Sequence, residues 1–152
     1  MSTAYHVTAR SAADPHTVFA ILLRGATWPS WSPIDAFSLD GPGPADGPQH
    51  VGDVREFRTG RNVSRERVDK LEPPSRFEYS IVGSGPLKDY RAVVELRPAA
   101  SGQGTEIHWS ATFRPQLAGT GWFWRSYLSR YMQRMVEGLA AYAAEHAGEF
   151  SA

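Results

Sequence analysis

The chain contains no cysteine, which removes disulfides, iron–sulfur clusters, thiol nucleophiles and cysteine-ligated zinc from consideration. It has no excess of charge either, because 16 Lys and Arg balance 16 Asp and Glu. A neutral chain offers no net field to gather nucleic acid or an anionic membrane. No stretch approaches the roughly 20 apolar residues of a membrane span, so integral membrane contact is not expected. The N-terminus leads Tyr5 to Thr8 straight into a strand-like alternation, not a charged segment followed by an apolar one, and the expected location is the cytoplasm. No Gly-x-Ser-x-Gly elbow, Gly-Lys-Ser/Thr loop or Gly-x-Gly-x-x-Gly occurs, which leaves hydrolase, nucleotide-triphosphatase and dinucleotide readings without support, and no cofactor is expected. The five histidines (His6, His16, His50, His108, His146) are scattered, with no His-x-x-x-His pair, and no metal site is expected. Lysine is nearly absent, two residues against 14 arginines.

What is present is enough chain for one globular domain, 1–152, with 41% hydrophobic residues and a 12% share of aromatics that needs a place to be buried. Residues 4–10 alternate Tyr5, Val7 and Ala9 against His6, Thr8 and Arg10, a period-2 strand. Asp14 and Pro15 then form a helix start, with Val18, Phe19, Ile21 and Leu22 on one face. The segment 27–33 is too rich in proline for more than one short helical turn. A strand over about 34–39 runs into the Gly/Pro-dense stretch 40–48, which reads as a loop over the domain and not as a linker. From 53 onward strands and turns follow at hairpin spacing: 53–59, 63–71, 76–82, 87–97 and 105–114. Residue 120 or 121 to about 146 reads as one helix, with Trp124, Tyr127, Leu128, Tyr131, Met132, Met135, Val136, Leu139 and Ala143 as its apolar stripe. At about 1.5 Å per residue it is roughly 35–40 Å long, more than a simple cap on a sheet needs. The stripe is expected to be buried along most of that length, with Arg125, Arg130 and Arg134 in solvent.

Antiparallel strands followed by a terminal helix give an α+β domain in which the sheet curls around the helix. Strand parity decides which side chains look inward. Ile107, Trp109, Ala111 and Phe113 share one face; Tyr90, Ala92, Val94 and Leu96 share another; Phe77 and Tyr79 a third. The hairpin over 53–71 is less apolar. The face that carries Phe57 also carries Arg55, and the face that carries Val68 also carries Glu66. If the apolar members turn inward, a guanidinium and a carboxylate come inward together on adjacent strands. Buried charge is tolerated only when paired and hydrogen-bonded. The pair reads either as a structural salt bridge in a cavity wall or as a polar anchor for a ligand; Tyr79 and Tyr90 read either as packed core or as ligand-facing hydroxyls.

An ordered series of short motifs runs along nearly the whole chain: Ala13-Asp-Pro-x-x-Val-Phe19, Trp28-Pro-x-Trp31, Val51-Gly-x-x-Arg55, Glu66-Arg-Val68, Phe77-x-Tyr79, Pro86-x-x-x-Tyr90 and Gly104-Thr-x-x-x-Trp109-x-x-x-Phe113-x-Pro115. In this series the chain resembles the START-like, Bet v 1-like superfamily, and within it the bacterial polyketide cyclase/dehydrase and lipid-transport (SRPBCC) group. The resemblance implies a helix-grip fold: a curved seven-stranded antiparallel sheet wrapped around a long C-terminal helix, with two short helices after the first strand and a deep cavity between sheet and helix. It also implies that a small hydrophobic molecule is the partner held there.

The expected function is binding of a small hydrophobic, oxygenated, polyketide- or lipid-like ligand in that cavity. The candidate ligand-binding residues are Arg55, Phe57, Glu66, Tyr79, Tyr90, Trp109, Phe113, Tyr131 and Met135. One alternative is a polyketide cyclase or dehydratase, in which Arg55 would polarise a carbonyl and Glu66, Tyr79 or Tyr90 would move the proton. The other is a protein-partner-binding module. Trp28 and Trp31 are expected to plug the end of the barrel, and residues 122–124 to pack against the loop before the helix; the rival reading of 122–124 is a lid or a membrane-touching tip, and that of loop 40–50 a mobile entrance lid.

Overall fold

The computed structural model describes residues 2–83 and 85–150. Its strands are β1 (Thr3–Ser11), β2 (Ala36–Asp40), β3 (Val54–Thr59), β4 (Asn62–Glu72), β5 (Arg76–Ile81), β6 (Leu87–Pro98) and β7 (Thr105–Pro115). Its helices are α1 (Pro15–Leu22), α2 (Trp28–Trp31), α3 (Gly121–Glu145) and α4 (Ala147–Phe150), with a 3-10 turn over Gly25–Thr27. The strands form one antiparallel sheet in the order β1-β7-β6-β5-β4-β3-β2. Every neighbour but one is the next strand along the chain; the exception is β1, which closes against β7.

Local chemistry sets the element ends. The Asp14 carboxylate accepts the backbone N–H of Thr17 at 2.8 Å, which caps α1, and Pro15 occupies the first turn, where its missing N–H costs nothing. At the other end of β1, Gly104 has φ +85° and lies so close to the Ser11 carbonyl that a Cβ would overlap it. Two buried hydroxyls tie the layers there: Ser11 Oγ donates to the Ala140 carbonyl of α3, and Thr105 Oγ1 to the Ala13 carbonyl, each at 2.7 Å.

The inward faces follow the parity of the sequence. Tyr5, Val7, Phe57, Phe77, Tyr79, Tyr90, Ala92, Trp109 and Phe113 are all 5% exposed or less. β4 departs from strict alternation. A register shift between Val68 and Lys70 moves Leu71, not Lys70, onto the inner face opposite Phe77. A second shift lies between Lys88 and Arg91, where Asp89 takes φ +52° just before the inward Tyr90.

The long helix is not gripped as expected. From Met132 onward its stripe is buried, through Met135, Val136, Leu139, Ala140 and Ala143. Gly138 lets α2 approach so closely that a Cβ would overlap the Trp31 carbonyl oxygen. In the N-terminal half the cover is partial: Trp124, Leu128 and Tyr131 pack part-buried against the core while the other rings face outward. Trp122 is 70% exposed and Phe123 and Tyr127 are each 46% exposed, so residues 122–124 do not pack tightly against the preceding loop. The sheet reaches the first turn, where Gly121 lies against Thr3 of β1; the exposed rings are those whose helix positions turn away from the sheet. Arg125, Arg130 and Arg134 are exposed, as the pattern predicts. The helix stops at Glu145 and four further residues form α4.

Candidate functional site

The β3–β4 register sets Arg55 directly opposite Glu66, and parity with Phe57 and Val68 turns both inward. Arg55 is 0% exposed. Its Nη2 donates to Glu66 Oε1 at 3.3 Å and its Nη1 to the Leu22 carbonyl at 2.7 Å, at the C-terminal end of α1, where the helix dipole favours a cation. Four rings enclose the guanidinium: its carbon lies 4.6 Å from the ring centroid of Trp28, 4.9 Å from Phe77, 5.2 Å from Phe57 and 6.0 Å from Tyr79. Such faces attract a cation most strongly where water is excluded. Arg55 Nε has no partner among the described residues. Burial lowers the Arg55 pKa, and the Glu66 charge works against that shift.

Glu66 is 8% exposed. Burial pushes its carboxyl from the usual 4.5 up to about 7, outweighing the attraction and hydrogen bond of Arg55. The sign of the consequence is fixed. A raised folded-state pKa contributes stability that is fully present below the unfolded value, near pH 4.5, and is lost as pH rises through about 7. Unfolding titrations in urea should therefore show the wild type losing stability relative to Glu66→Gln across that window, with a slope of at most about 1.4 kcal/mol per pH unit. Parallel curves for the two proteins would show that Glu66 does not titrate there.

Tyr79 and Tyr90 continue the polar lining, with Tyr5 behind Tyr90. The hydroxyls of Tyr5 and Tyr90 share a short hydrogen bond, and Trp109 Nε1 donates to the Tyr79 hydroxyl at 3.1 Å. Burial raises the pKa of all three phenols, which keeps them neutral donors and acceptors.

Between this wall and α3 lies a cavity of about 220 Å³, open on one side. Phe57, Glu66, Tyr79, Tyr90, Tyr131 and Met135 line it. Arg55, Trp109 and Phe113 do not reach its surface: at 0%, 0% and 1% exposure they stand behind the lining, Arg55 under Glu66 and Trp109 under Tyr79. Sequence reasoning missed Trp28, Leu128 and Met132 as lining residues, together with the hairpin residues Thr59 and Asn62. The two helix residues were legible as stripe members, but a stripe does not say which of its turns faces empty space. Trp28 both plugs and lines: it is 1% exposed and stacks on Phe57 at 4.6 Å. The volume is below the roughly 300–1,000 Å³ usual for small-molecule sites.

The loop after β2 is anchored, with Gln49 buried and accepting the Gly25 N–H at 2.7 Å, and no residue of 40–50 lines the cavity. Among the described residues no three His, Asp or Glu side chains come together as metal ligands would.

Comparison with known proteins agrees with this architecture. The family model described as "Polyketide cyclase / dehydrase and lipid transport" matches residues 2–144. No curated protein sequence matches the chain. Among solved structures, the protein XoxI from Bacillus cereus superposes with a TM-score of 0.76 at 15% identity, over 95% of this chain and 98% of that one. A protein from Nitrosospira multiformis gives 0.70 at 19% identity, over 98% and 97%. Ara h 8.0201 gives 0.72 at 19%, over 95% and 99%. At such identities these structures speak for the fold alone. With a family match over almost its whole length and a seven-stranded sheet against a long terminal helix, the chain belongs to the polyketide cyclase/dehydrase and lipid-transport (SRPBCC) family, on the Bet v 1-like helix-grip fold.

Proposed function

We propose that the protein binds a small hydrophobic, oxygenated molecule between sheet and helix. One observation carries the reading: a buried carboxyl, Glu66, faces an otherwise largely apolar cavity beside the phenols of Tyr79 and Tyr90. Apolar walls supply affinity, and a few fixed polar groups orient a carbonyl or hydroxyl. An engineered cavity of about 150 Å³ holds benzene, so about 220 Å³ suits a ligand part of one or two rings, with any longer chain leaving through the open side. Arg55, shut behind Glu66, acts on the ligand only through that carboxyl.

Native mass spectrometry of the purified protein should reveal a co-purified ligand of this class. For any ligand so found, Glu66→Gln should change affinity by about three- to tenfold, the worth of one hydrogen bond. Leu128→Trp, which fills the cavity from the helix side, should abolish binding. Unchanged affinity in both variants would place the ligand elsewhere and end this reading.

The enzymatic alternative keeps one specific support, the carboxyl held near pH 7, where a group that both takes and gives a proton works best. In a cyclase or dehydratase of polyketide-like chains, Glu66→Gln would remove turnover while a substrate analogue still bound. In a binder there is no turnover to lose.

A further inference from the structure

The cavity does not account for the exposed rings beside its mouth. Trp122 and Leu117 are each 70% exposed, Phe123 and Tyr127 46%, and Val63 at the β3–β4 hairpin 49%. Exposed apolar side chains scattered singly need no explanation, but a contiguous group does. Here Trp122 meets Phe123 edge-on at 6.1 Å, Phe123 stacks on Tyr127 at 6.1 Å, and Tyr127 stacks on Tyr131 at 6.3 Å. Tyr127, Tyr131 and Val63 also line the cavity, so the exposed group and the cavity lining are one continuous surface.

Charge is segregated on the same surface. The chain is neutral as a whole, yet residues 107–136 contain Arg114, Arg125, Arg130 and Arg134 and no Asp or Glu. Phe123, Tyr127, Arg130 and Arg134 follow one another at steps of four, three and four, which puts rings and guanidinium groups on one helix face. Arg61 sits exposed at the hairpin tip across the mouth. Among the described residues no carboxylate pairs with Arg61, Arg130 or Arg134 on this surface, nor with Arg24, Arg58, Arg91 or Arg125 elsewhere; what sets the three apart is their place beside the exposed rings.

The geometry points to a docking surface for an anionic lipid bilayer, formed by the N-terminal half of α3 with the β3–β4 hairpin tip. Trp122, Phe123 and Tyr127 settle at headgroup level, where amphipathic rings are favoured, and the arginines meet lipid phosphates. The mouth of the cavity then faces the membrane. Screening over about 8 Å at physiological salt means that headgroups respond to this local cluster and not to the chain's zero net charge. The same charge argues against a second copy as the occupant. A two-fold contact through this face would bring Arg61, Arg130 and Arg134 of one protomer against the same residues of the other, with no carboxylate among them. The inference concerns the rim and stands whatever molecule the cavity holds.

The test is co-sedimentation with vesicles of phosphatidylcholine alone and of phosphatidylcholine mixed with phosphatidylglycerol, read together with tryptophan emission. At low salt the protein should bind the mixed vesicles with a blue-shifted emission, bind phosphatidylcholine weakly, and be released by added salt. Trp122→Ala with Phe123→Ala should lower the partition coefficient by about tenfold or more. Neutralising Arg61, Arg130 and Arg134 to Gln should remove the preference for phosphatidylglycerol. All five side chains are largely in water, so circular dichroism should show these variants folded. None of the substituted side chains lines the cavity, which separates this result from the ligand-binding one. Folded protein that ignores the mixed vesicles at low salt would overturn the proposal, as would a double ring variant that binds like wild type. A concentration-dependent dimer that Trp122→Ala dissolves would overturn it in favour of a second copy.

Discussion

Glu66→Ala should destabilise the fold by about 3–5 kcal/mol, the cost of leaving a buried charge without its partner. The guanidinium of Arg55 is 0% exposed and has two hydrogen-bond acceptors, Glu66 and the Leu22 carbonyl. Protonation of Glu66 does not spare the fold that role, because a neutral carboxyl oxygen still accepts from Nη2; alanine offers no acceptor. Four aromatic faces favour the cation but cannot take its N–H groups. Removing both partners, as Arg55→Met with Glu66→Leu, should cost much less than the sum of the single changes. The Leu22 carbonyl would keep a donor there, since Trp28 Nε1 also reaches it at 3.3 Å. Urea unfolding of the wild type, both single variants and the double variant measures the coupling. Additive costs would mean that the two groups are held independently.

Leu139→Ala should cost about 2–5 kcal/mol, and Tyr127→Ala only a small fraction of that. Leu139 is 0% exposed, in the part of α3 clamped between the sheet and α2. Truncating it leaves a void that close-packed neighbours cannot fill. Tyr127 is 46% exposed and touches other rings at the helix surface. Thermal melts should separate the two variants by many degrees. Equal losses would show that the part-covered half of the helix is held as firmly as the gripped half.

Much of the fold was readable because period-2 alternation is a direct image of a sheet with one buried face. Trp109 and Phe113 alternate with His108 and Thr112 in the text as they do across β7. The inward turn of Arg55 and Glu66 was readable for the same reason, since each shares parity with an apolar neighbour. What parity could not show was depth. Glu66 ends at a cavity surface and Arg55 behind it, although both point the same way, because α1 and α2 close over one strand position and leave the other open. The bulge that brings Leu71 inward was hidden, as nothing in Val68-Asp-Lys-Leu71 marks an extra residue. The burial of α3 was misjudged for a related reason. A helical stripe reports which side is apolar, but not how closely each of its turns is covered: the C-terminal turns are buried, whereas Trp124, Leu128 and Tyr131 are only part-covered.

The strand order also sets when the fold can be completed. Five hairpin-like pairings join strands adjacent in sequence, but β1 docks on β7, as when Thr105 bonds to Ala13 across 92 residues of chain. Lengthening a closed loop is cheap at equilibrium, about 0.6 kcal/mol per doubling. In time it is not cheap, because such a contact must wait for the search that brings its ends together. On the ribosome β1 is made first and finds no neighbour until β7 has emerged, and α3, which packs chiefly on β1, can only follow. The last pieces to assemble are therefore β1 and α3, and until they meet the Trp- and Tyr-lined inner face of the meander is bare. That interval, more than the marginal stability of the finished domain, is where aggregation competes with folding.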